Sequence, residues 1–300
     1  MSISIEHLTK RYGRSTAVDD VSIEVPDGSV FGLLGPNGAG KTTTFKCMLG
    51  LAAPTSGRTL FDGAPLTRAA FQRIAYVAER SALYEWMSGR EHLEMQRKTF
   101  AKFDAKRAAE LMELFSLDPR KRVRRLSKGM RTALSVVLAF AIDPDILILD
   151  EPTSGLDPLN QRAVLKLIID AAASGKTVVF SSHQIGQVER TADHIAVLKA
   201  GKVALSGAVD DLKAGAKIVE GVFPADAVAL NGVATDARVS RVEQTGRIVR
   251  LTVSGGSDEL AQRLSAMGAQ GVRIVDLNLE DIFLNAVDPL HQSADVVERA

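Results

Sequence analysis

Hydrophobic and polar residues alternate at the start of the chain, at Ile3 and Ile5 and again from Val21 to Val25. A period of two is typical of strands with one face in the core, so these segments predict an antiparallel, hairpin-like opening. Two apolar runs, Val30–Leu34 and Ile146–Leu149, have instead the pattern of strands that are buried in a parallel sheet. Residues Thr177–Ser181 are predicted to form a further strand.

Helical spacing of apolar residues separates these predicted strands. Residues 90–117 have a helical period, and a second apolar stripe runs from Met130 to Ala141 before Asp143-Pro144 ends it. A third helical segment covers Leu159 to Ala173. Strands that alternate with helices predict an α/β fold with a mainly parallel sheet covered by helices.

The pattern changes near Leu205, where LSGAVDDLKAG is a plausible hinge. Short alternating strands follow, with a hairpin predicted to turn at Thr245-Gly246. A helix at 258–267, a strand at 272–277 and a helix at 279–286 complete a small α+β unit. The predicted organisation is a domain at 1–212, an accessory domain at 213–287 and a mobile tail at 288–300.

The composition excludes few classes of protein. The 300 residues carry 37 basic and 36 acidic side chains, and this balance gives no sign of a nucleic-acid partner. The single cysteine, Cys47, permits no intrachain disulfide and fits a reducing compartment. The sequence contains no secretory signal pattern and no apolar run near the roughly 20 residues that span a bilayer. If this protein works at a membrane, we expect another chain to supply the spanning part.

The stretch GPNGAGKT matches the glycine-rich pattern that holds nucleotide phosphates. Its glycines let several backbone amides converge on one anion, and the helix predicted to begin near Gly40 favours negative charge at its N-terminus. Lys41 is expected to reach the β- and γ-phosphates of ATP, and the Thr42 hydroxyl to ligate Mg²⁺. The candidate nucleotide-binding residues here are Gly35, Pro36, Asn37, Gly38, Ala39, Gly40, Lys41, Thr42 and Thr43.

Two acids, Asp150 and Glu151, directly follow the apolar run ILIL. Adjacent strand residues point to opposite sides, so the two carboxylates are expected to have separate tasks. Asp150 is the candidate second metal ligand, opposite Thr42. Glu151 is the candidate general base that positions a water on the γ-phosphorus.

Together with this loop and these acids, further motifs resemble one family, the ATP-binding-cassette ATPases, over about residues 2–212. LSKGM at 126–130 resembles the family signature, and SGLD at 154–157 resembles the loop between paired subunits. FSSH, which ends in His183, resembles the switch histidine that contacts the γ-phosphate, and Tyr12 stands where the family stacks an aromatic ring on adenine. The resemblance implies a P-loop NTPase cassette with an antiparallel β subdomain and a helical subdomain.

The resemblance also implies that two ATP molecules lie between two subunits. Ser127 and Gly129, at the start of the helix after the signature, would face the nucleotide of the partner subunit. The chain carries one glycine-rich loop and one signature, so a homodimer, or a heterodimer with a related subunit, is expected.

The sequence departs from the family pattern at two places. Glu79 stands where a glutamine is common, and it remains a candidate for contact with Mg²⁺ or the attacking water. Lys128 and Met130 replace the usual glycine and glutamine of the signature, whereas Ser127 and Gly129 are kept. We therefore expect ATP hydrolysis to survive.

The resemblance to transporter subunits implies a transmembrane permease as partner and a cytoplasmic position at the inner face of the cell membrane. Residues 81–117, with Tyr84, Trp86 and Met87 near their start, would dock it, although core packing explains them too. The C-terminal unit resembles that of exporters. One alternative is a soluble cassette ATPase that acts on ribosomes or DNA. Another is a binding module with little turnover, against which Glu151 argues.

Overall fold

The computed structural model describes residues 1–215, 217–226, 230 and 232–287, and the predicted mobile tail, 288–300, lies outside them. The chain divides into two compact units, Met1–Ser206 and a second that begins at Gly207. Within the described residues, the helices are too short or too polar to span a lipid bilayer.

Strands and helices alternate through the first unit. Its strands are, in chain order, β1 (Ile3–Tyr12), β2 (Ser15–Val25), β3 (Val30–Leu34), β4 (Ser56–Phe61), β5 (Ala64–Pro65), β6 (Ile74–Val77), β7 (Ile146–Asp150), β8 (Thr177–Ser182), β9 (His194–Lys199) and β10 (Lys202–Ala208), of which β10 extends two residues past the end of the unit. Its helices are α1 (Lys41–Met48), α2 (Gly89–Thr99), α3 (Ala105–Leu114), α4 (Lys128–Ala141), α5 (Pro158–Ala173) and α6 (Ile185–Glu189). This alternation confirms the predicted α/β fold.

The opening strands form a small sheet with the order β2-β1-β4-β5. β1 and β2 are antiparallel, and their register pairs Ile3 with Val25 and Ile5 with Ile23. All four side chains are buried, so the alternation in the sequence marks the face that joins the core.

The central sheet has the order β10-β9-β3-β8-β7-β6. β3 pairs in parallel with β8 and β9, and β7 pairs in parallel with β6 and β8. Every residue of β3, β7 and β8 is buried, which agrees with a sheet covered on both faces. Because parallel strands end at the same edge of a sheet, the loops after β3, β6, β7 and β8 meet there.

The helical period of residues 90–117 does not correspond to one continuous helix. α2 ends at Thr99, and α3 begins at Ala105 after Asp104, whose carboxylate accepts a hydrogen bond from the Arg107 amide. Asp104 therefore caps a new helix N-terminus, which interrupts the helical pattern locally.

The second unit contains a four-stranded antiparallel sheet and short helices. Its strands are β11 (Lys217–Val222), β12 (Val239–Thr245), β13 (Ile248–Val253) and β14 (Gln270–Asp276), in the order β12-β13-β11-β14. Its helices are α7 (Val209–Ala214), α8 (Ser257–Ala266) and α9 (Leu279–Val287). Leu260 and Leu264 of α8 are buried in one core with Val219 and Leu251 of the sheet. Thr245 pairs with Ile248, so the hairpin turns at Gly246-Arg247, one residue later than predicted.

Candidate functional site

The glycine-rich loop connects the end of β3 to the start of α1, at the edge where the parallel strands end. Gly38 and Gly40 have φ values of 81° and 108°, a left-handed region that favours glycine. A Cβ atom on Gly40 would also lie 2.6 Å from the Ala17 carbonyl oxygen. The loop therefore needs glycine here both for its backbone angles and for its close approach to β2.

Lys41 is the first residue of α1, and its side chain folds back over the loop. Its ammonium donates hydrogen bonds to the carbonyl oxygens of Gly35, at 2.7 Å, and Pro36, at 3.3 Å. The residue is only 7% exposed. A buried cation thus stands beside the amides of a helix N-terminus, an arrangement that favours a multiply charged anion.

Asp150 ends β7 and accepts hydrogen bonds on both carboxylate oxygens. The Thr42 hydroxyl donates to Oδ2 at 2.7 Å, and the Ser181 hydroxyl donates to Oδ1 at 2.6 Å. Burial raises the pKa of Asp150, although both hydroxyls lower it, and the charge of Glu79 raises it further. The hydroxyl and carboxylate oxygens at this point are the donor types that Mg²⁺ prefers, so the residues fit this ion.

Glu151 lies one residue beyond β7 and is 8% exposed. Its Oε2 atom lies 2.8 Å from Nδ1 of His183, and its Oε1 atom lies 3.7 Å from the Lys41 ammonium. The Ser181 hydroxyl accepts a hydrogen bond from the Glu151 amide at 2.9 Å. The structure thus brings two predicted residues, Lys41 and His183, to the carboxylate of a third, Glu151.

The expectation that Asp150 and Glu151 point to opposite sides is wrong. Asp150 contacts Thr42, and Glu151 contacts the neighbouring Lys41. Strand alternation stops at Asp150, because Glu151 has a φ of 50° in the left-handed region. This turn brings both carboxylates to the start of α1, where they still have different partners.

Glu79 and Tyr12 lie at the margins of the site. Glu79 is exposed, follows β6 beside β7, and is close enough for its charge to raise the pKa of Asp150. Tyr12 ends β1 with 51% of its surface exposed, and the Lys10 ammonium lies 4.7 Å from the centre of its ring. An exposed ring of this kind is available for stacking.

The LSKGM segment begins α4, where Ser127 is the N-cap and accepts a hydrogen bond from the Met130 amide at 3.2 Å. A Cβ atom on Gly129 would lie 2.3 Å from the carbonyl oxygen of Gly155. Only glycine therefore fits at this contact between the start of α4 and the SGLD loop (154–157). This contact lies within one chain.

Some contacts of the site could not be predicted from the sequence. Lys128, which departs from the family pattern, donates a hydrogen bond from its ammonium to the Ser154 hydroxyl at 2.9 Å. The Ser181 hydroxyl bonds to the carboxylate of Asp150 and to the backbone amide of Glu151. Gln187 accepts a hydrogen bond from the Thr153 hydroxyl at 2.9 Å. The sequence does hold one signal for Ser181, because β8 ends in polar residues and its end lies beside that of β7.

The chain is similar to proteins of known family. A family model described as ABC transporter matches residues 18–154. The Nod factor export ATP-binding protein I of Cupriavidus metallidurans is 35% identical over 296 residues, which cover 94% of this chain and 96% of the relative. The daunorubicin resistance ATP-binding protein DrrA3 of Streptomyces coeruleorubidus is 32% identical over 304 residues, which cover 95% of this chain and 95% of the relative. A solved structure of an ATP binding subunit of an ABC transporter has a TM-score of 0.66 and 31% identity over 71% of this chain and 92% of that one.

Proposed function

The chain belongs to the ABC transporter family as an ATP-binding subunit, and we propose that two such subunits close around ATP and Mg²⁺ to drive a separate membrane-spanning partner. Its reaction is the hydrolysis of ATP, and its relatives serve export-type transporters. The alternative of a soluble ATPase that acts on ribosomes or DNA gains no support from these relatives.

The phosphates of ATP would bind in the glycine-rich loop. Backbone amides at the N-terminus of α1 would bind them, and Lys41 would exchange its bonds to Gly35 and Pro36 for the β- and γ-phosphates. Both carbonyl acceptors are neutral, so an anionic triphosphate is a stronger partner for the ammonium. Tyr12 would stack on the adenine ring.

Thr42 and Asp150 would hold Mg²⁺, with Glu79 in its surroundings. When bound, the ion neutralises charge on the β- and γ-phosphate oxygens. The Thr42–Asp150 hydrogen bond already brings the two oxygen ligands together, and the bond from Ser181 fixes the orientation of the carboxylate.

Glu151 would take a proton from the attacking water. The water oxygen then forms a bond to the γ-phosphorus, the bond to the bridging oxygen breaks, and ADP leaves with that electron pair. Movement of Lys41 to the phosphates would free Oε1 of Glu151 for the water, while His183 still holds Oε2. With a proton on each ring nitrogen, His183 would donate from Nδ1 to Glu151 and from its other nitrogen, Nε2, to the γ-phosphate.

The second subunit completes the site. Ser127 and Gly129 lie at the N-terminus of the 14-residue helix α4, which would present amides to the nucleotide of the other subunit. Two identical copies of this chain would suffice to build both sites, because each copy supplies one glycine-rich loop and one signature segment.

The membrane-spanning partner would dock beside α2, at the inner face of the cell membrane. Tyr84 and Trp86 lie there with 45% and 66% of their surfaces exposed and ring centres 4.9 Å apart. The buried ring of His92 accepts a hydrogen bond from the Tyr84 amide at 3.0 Å and fixes the aromatic pair on α2. Exposed aromatic pairs of this kind are typical anchors of protein interfaces.

The observation that carries the proposal is the convergence of Lys41, Asp150 and Glu151, all under 9% exposed, at one helix N-terminus. The test is the specific ATPase activity of the purified chain, measured with Mg²⁺ over a range of protein concentrations. We expect the activity per subunit to rise with concentration, because each site needs a second copy. A constant activity per subunit at all concentrations, from a protein that stays monomeric with ATP, would contradict the proposed dimer.

A further inference from the structure

A cluster of polar side chains connects the SGLD loop to the segment that carries His183. We call it the glutamine cluster and define it as Thr153, Gln161, Gln184 and Gln187. Thr153 is 2% exposed and Gln187 is 5% exposed, although neither has a role in the proposed chemistry. Buried polar groups are costly unless they are hydrogen-bonded, so their arrangement is a constraint on this part of the fold.

Gln187 is the centre of the cluster. Its Oε1 atom accepts a hydrogen bond from the Thr153 hydroxyl at 2.9 Å. Its Nε2 atom donates to Oε1 of Gln184 at 2.7 Å and to Oε1 of Gln161 at 3.2 Å. Gln161 in turn donates to the carbonyl oxygen of Leu156 at 3.1 Å. Both ends of the turn at 153–156 are therefore connected to the side-chain amide of Gln187, Thr153 directly and Leu156 through Gln161.

That amide belongs to the short helix directly after His183. Gln184 is the N-cap of α6, and its backbone amide donates to the Ser182 hydroxyl at 3.0 Å. His183 lies between these two residues and contacts Glu151 at 2.8 Å. A shift of the turn that kept the buried hydrogen bonds would therefore move α6, and with it the histidine.

The other side of the SGLD loop contacts the signature helix. Ser154 accepts hydrogen bonds from the Lys128 ammonium at 2.9 Å and, on its carbonyl oxygen, from the Thr132 hydroxyl at 3.1 Å. The loop thus lies between α4, which would bind the nucleotide of the other subunit, and the glutamine cluster. It is placed to respond to that binding.

We propose that Gln187 is a positioning residue that passes movements of the SGLD loop, on closure of the dimer, to His183 and Glu151. The inference rests on the proposed function, because it needs a second subunit that displaces the loop. Gln187 does not contact the nucleotide in this scheme. It would affect the rate of hydrolysis while the affinity for ATP stays the same.

The test is the variant Gln187→Met, which keeps the length of the side chain and removes its hydrogen bonds. We expect kcat to fall about 10-fold to 100-fold, as for a small misplacement of catalytic groups, with KM for ATP within about twofold. The remaining activity should still rise with protein concentration, because the variant still forms the dimer. In the Glu151→Gln background, ATP should still produce the dimer, because nucleotide contacts are intact.

Two further variants separate positioning from stability. Thr177, at the start of β8 and away from the site, is also buried and hydrogen-bonded. Its hydroxyl, which Thr177→Val removes, contacts the Met1 carbonyl, Asp27 and the Gly28 amide. The kcat of this variant should be unchanged even if its melting temperature falls as much as that of Gln187→Met. Gln187→Glu should restore kcat to within about threefold, because its carboxylate can still accept from Thr153 and the amide of Gln184 can rotate to donate to it.

Unchanged kcat in Gln187→Met, or an equal loss in Thr177→Val, would overturn the inference. Loss of ATP-induced dimerisation in the double variant with Glu151→Gln would do so too. If the unaltered chain itself shows no ATPase activity or dimer, the proposed function fails first, independently of Gln187.

Discussion

The buried charged side chains of the two units differ in the partners that surround them. In the second unit, Glu220 is 8% exposed and has two arginine partners, Arg250 at 2.6 Å and Arg273 at 2.7 Å. The hydrogen bond from Arg250, supported by that from Arg273, lowers the pKa of Glu220. This carboxylate is fully matched inside its own unit.

The charges of the first unit are matched less completely. Lys41 and Glu151 are separated by 3.7 Å, and Asp150 accepts hydrogen bonds from two neutral hydroxyls while burial raises its pKa. Burying charges without strong partners costs free energy, and such arrangements concentrate at functional sites. The buried charges of the first unit therefore suit a charged ligand, whereas the matched Glu220 of the second unit stabilises structure.

The largest effect is expected from Lys41→Ala. The substitution removes the positive charge that would stabilise the phosphates of ATP, both when it binds and in the transition state. We therefore expect kcat/KM for ATP to fall about 1000-fold or more. Lys46→Ala, on the exposed side of the same helix, is the matched control and should leave ATP turnover unchanged. Calorimetry and steady-state ATPase measure both variants, and ordinary kcat and KM in Lys41→Ala would contradict the assignment.

The next largest effect is expected from Glu151→Gln. The amide cannot take the proton of the attacking water, so kcat should fall about 100-fold to 1000-fold while ATP still binds. The variant should accumulate as a dimer with ATP, because hydrolysis no longer reopens it. Gel filtration with and without ATP, beside a turnover assay, measures this, and ordinary turnover would make Glu151 a spectator.

The glycine-rich loop and its place in the fold can be predicted from the sequence. GPNGAGKT lies between an apolar strand and a helix, and the residues that would bind phosphate are consecutive in the chain. The strands β3 and β7 are also predictable, because burial on both faces leaves continuous apolar runs. The residues that would bind phosphate could therefore be named before the structure.

Contacts between distant segments could not be predicted in this way. The approach of Glu151 to Lys41 depends on a left-handed backbone angle after β7, and strand alternation gave the wrong direction. The bonds Lys128–Ser154 and Thr153–Gln187 join residues that are 26 and 34 positions apart. Nothing in the local pattern indicates such pairs, because they depend on how helices pack against the sheet.

An intermediate effect, on stability alone, is expected from Glu220→Gln. Loss of its charged hydrogen bonds should reduce the free energy of unfolding of the second unit by about 1–3 kcal/mol, with ATP affinity unchanged. The pKa of Glu220 is lower in the folded state, so its contribution is present above the unfolded value of about 4.3 and is lost as pH falls below it. Urea unfolding of the full chain at neutral and acidic pH should show the variant's deficit shrinking in acid. A deficit that persists or grows in acid would contradict this account.

The smallest effect is expected from Glu79→Gln, which tests whether the charge of the exposed Glu79 side chain contributes to Mg²⁺ binding. Removal of the charge should weaken Mg²⁺ binding about fivefold, as expected from roughly 1 kcal/mol between charges in a water-like environment. At saturating Mg²⁺, kcat should stay close to that of the unaltered chain, because the amide still offers an oxygen. Glu79→Asp keeps the charge and is the control. Titration of Mn²⁺ by electron paramagnetic resonance measures the affinity apart from turnover. Equal affinities in all three proteins would remove Glu79 from the surroundings of the metal and leave Asp150 and Thr42 as its protein ligands.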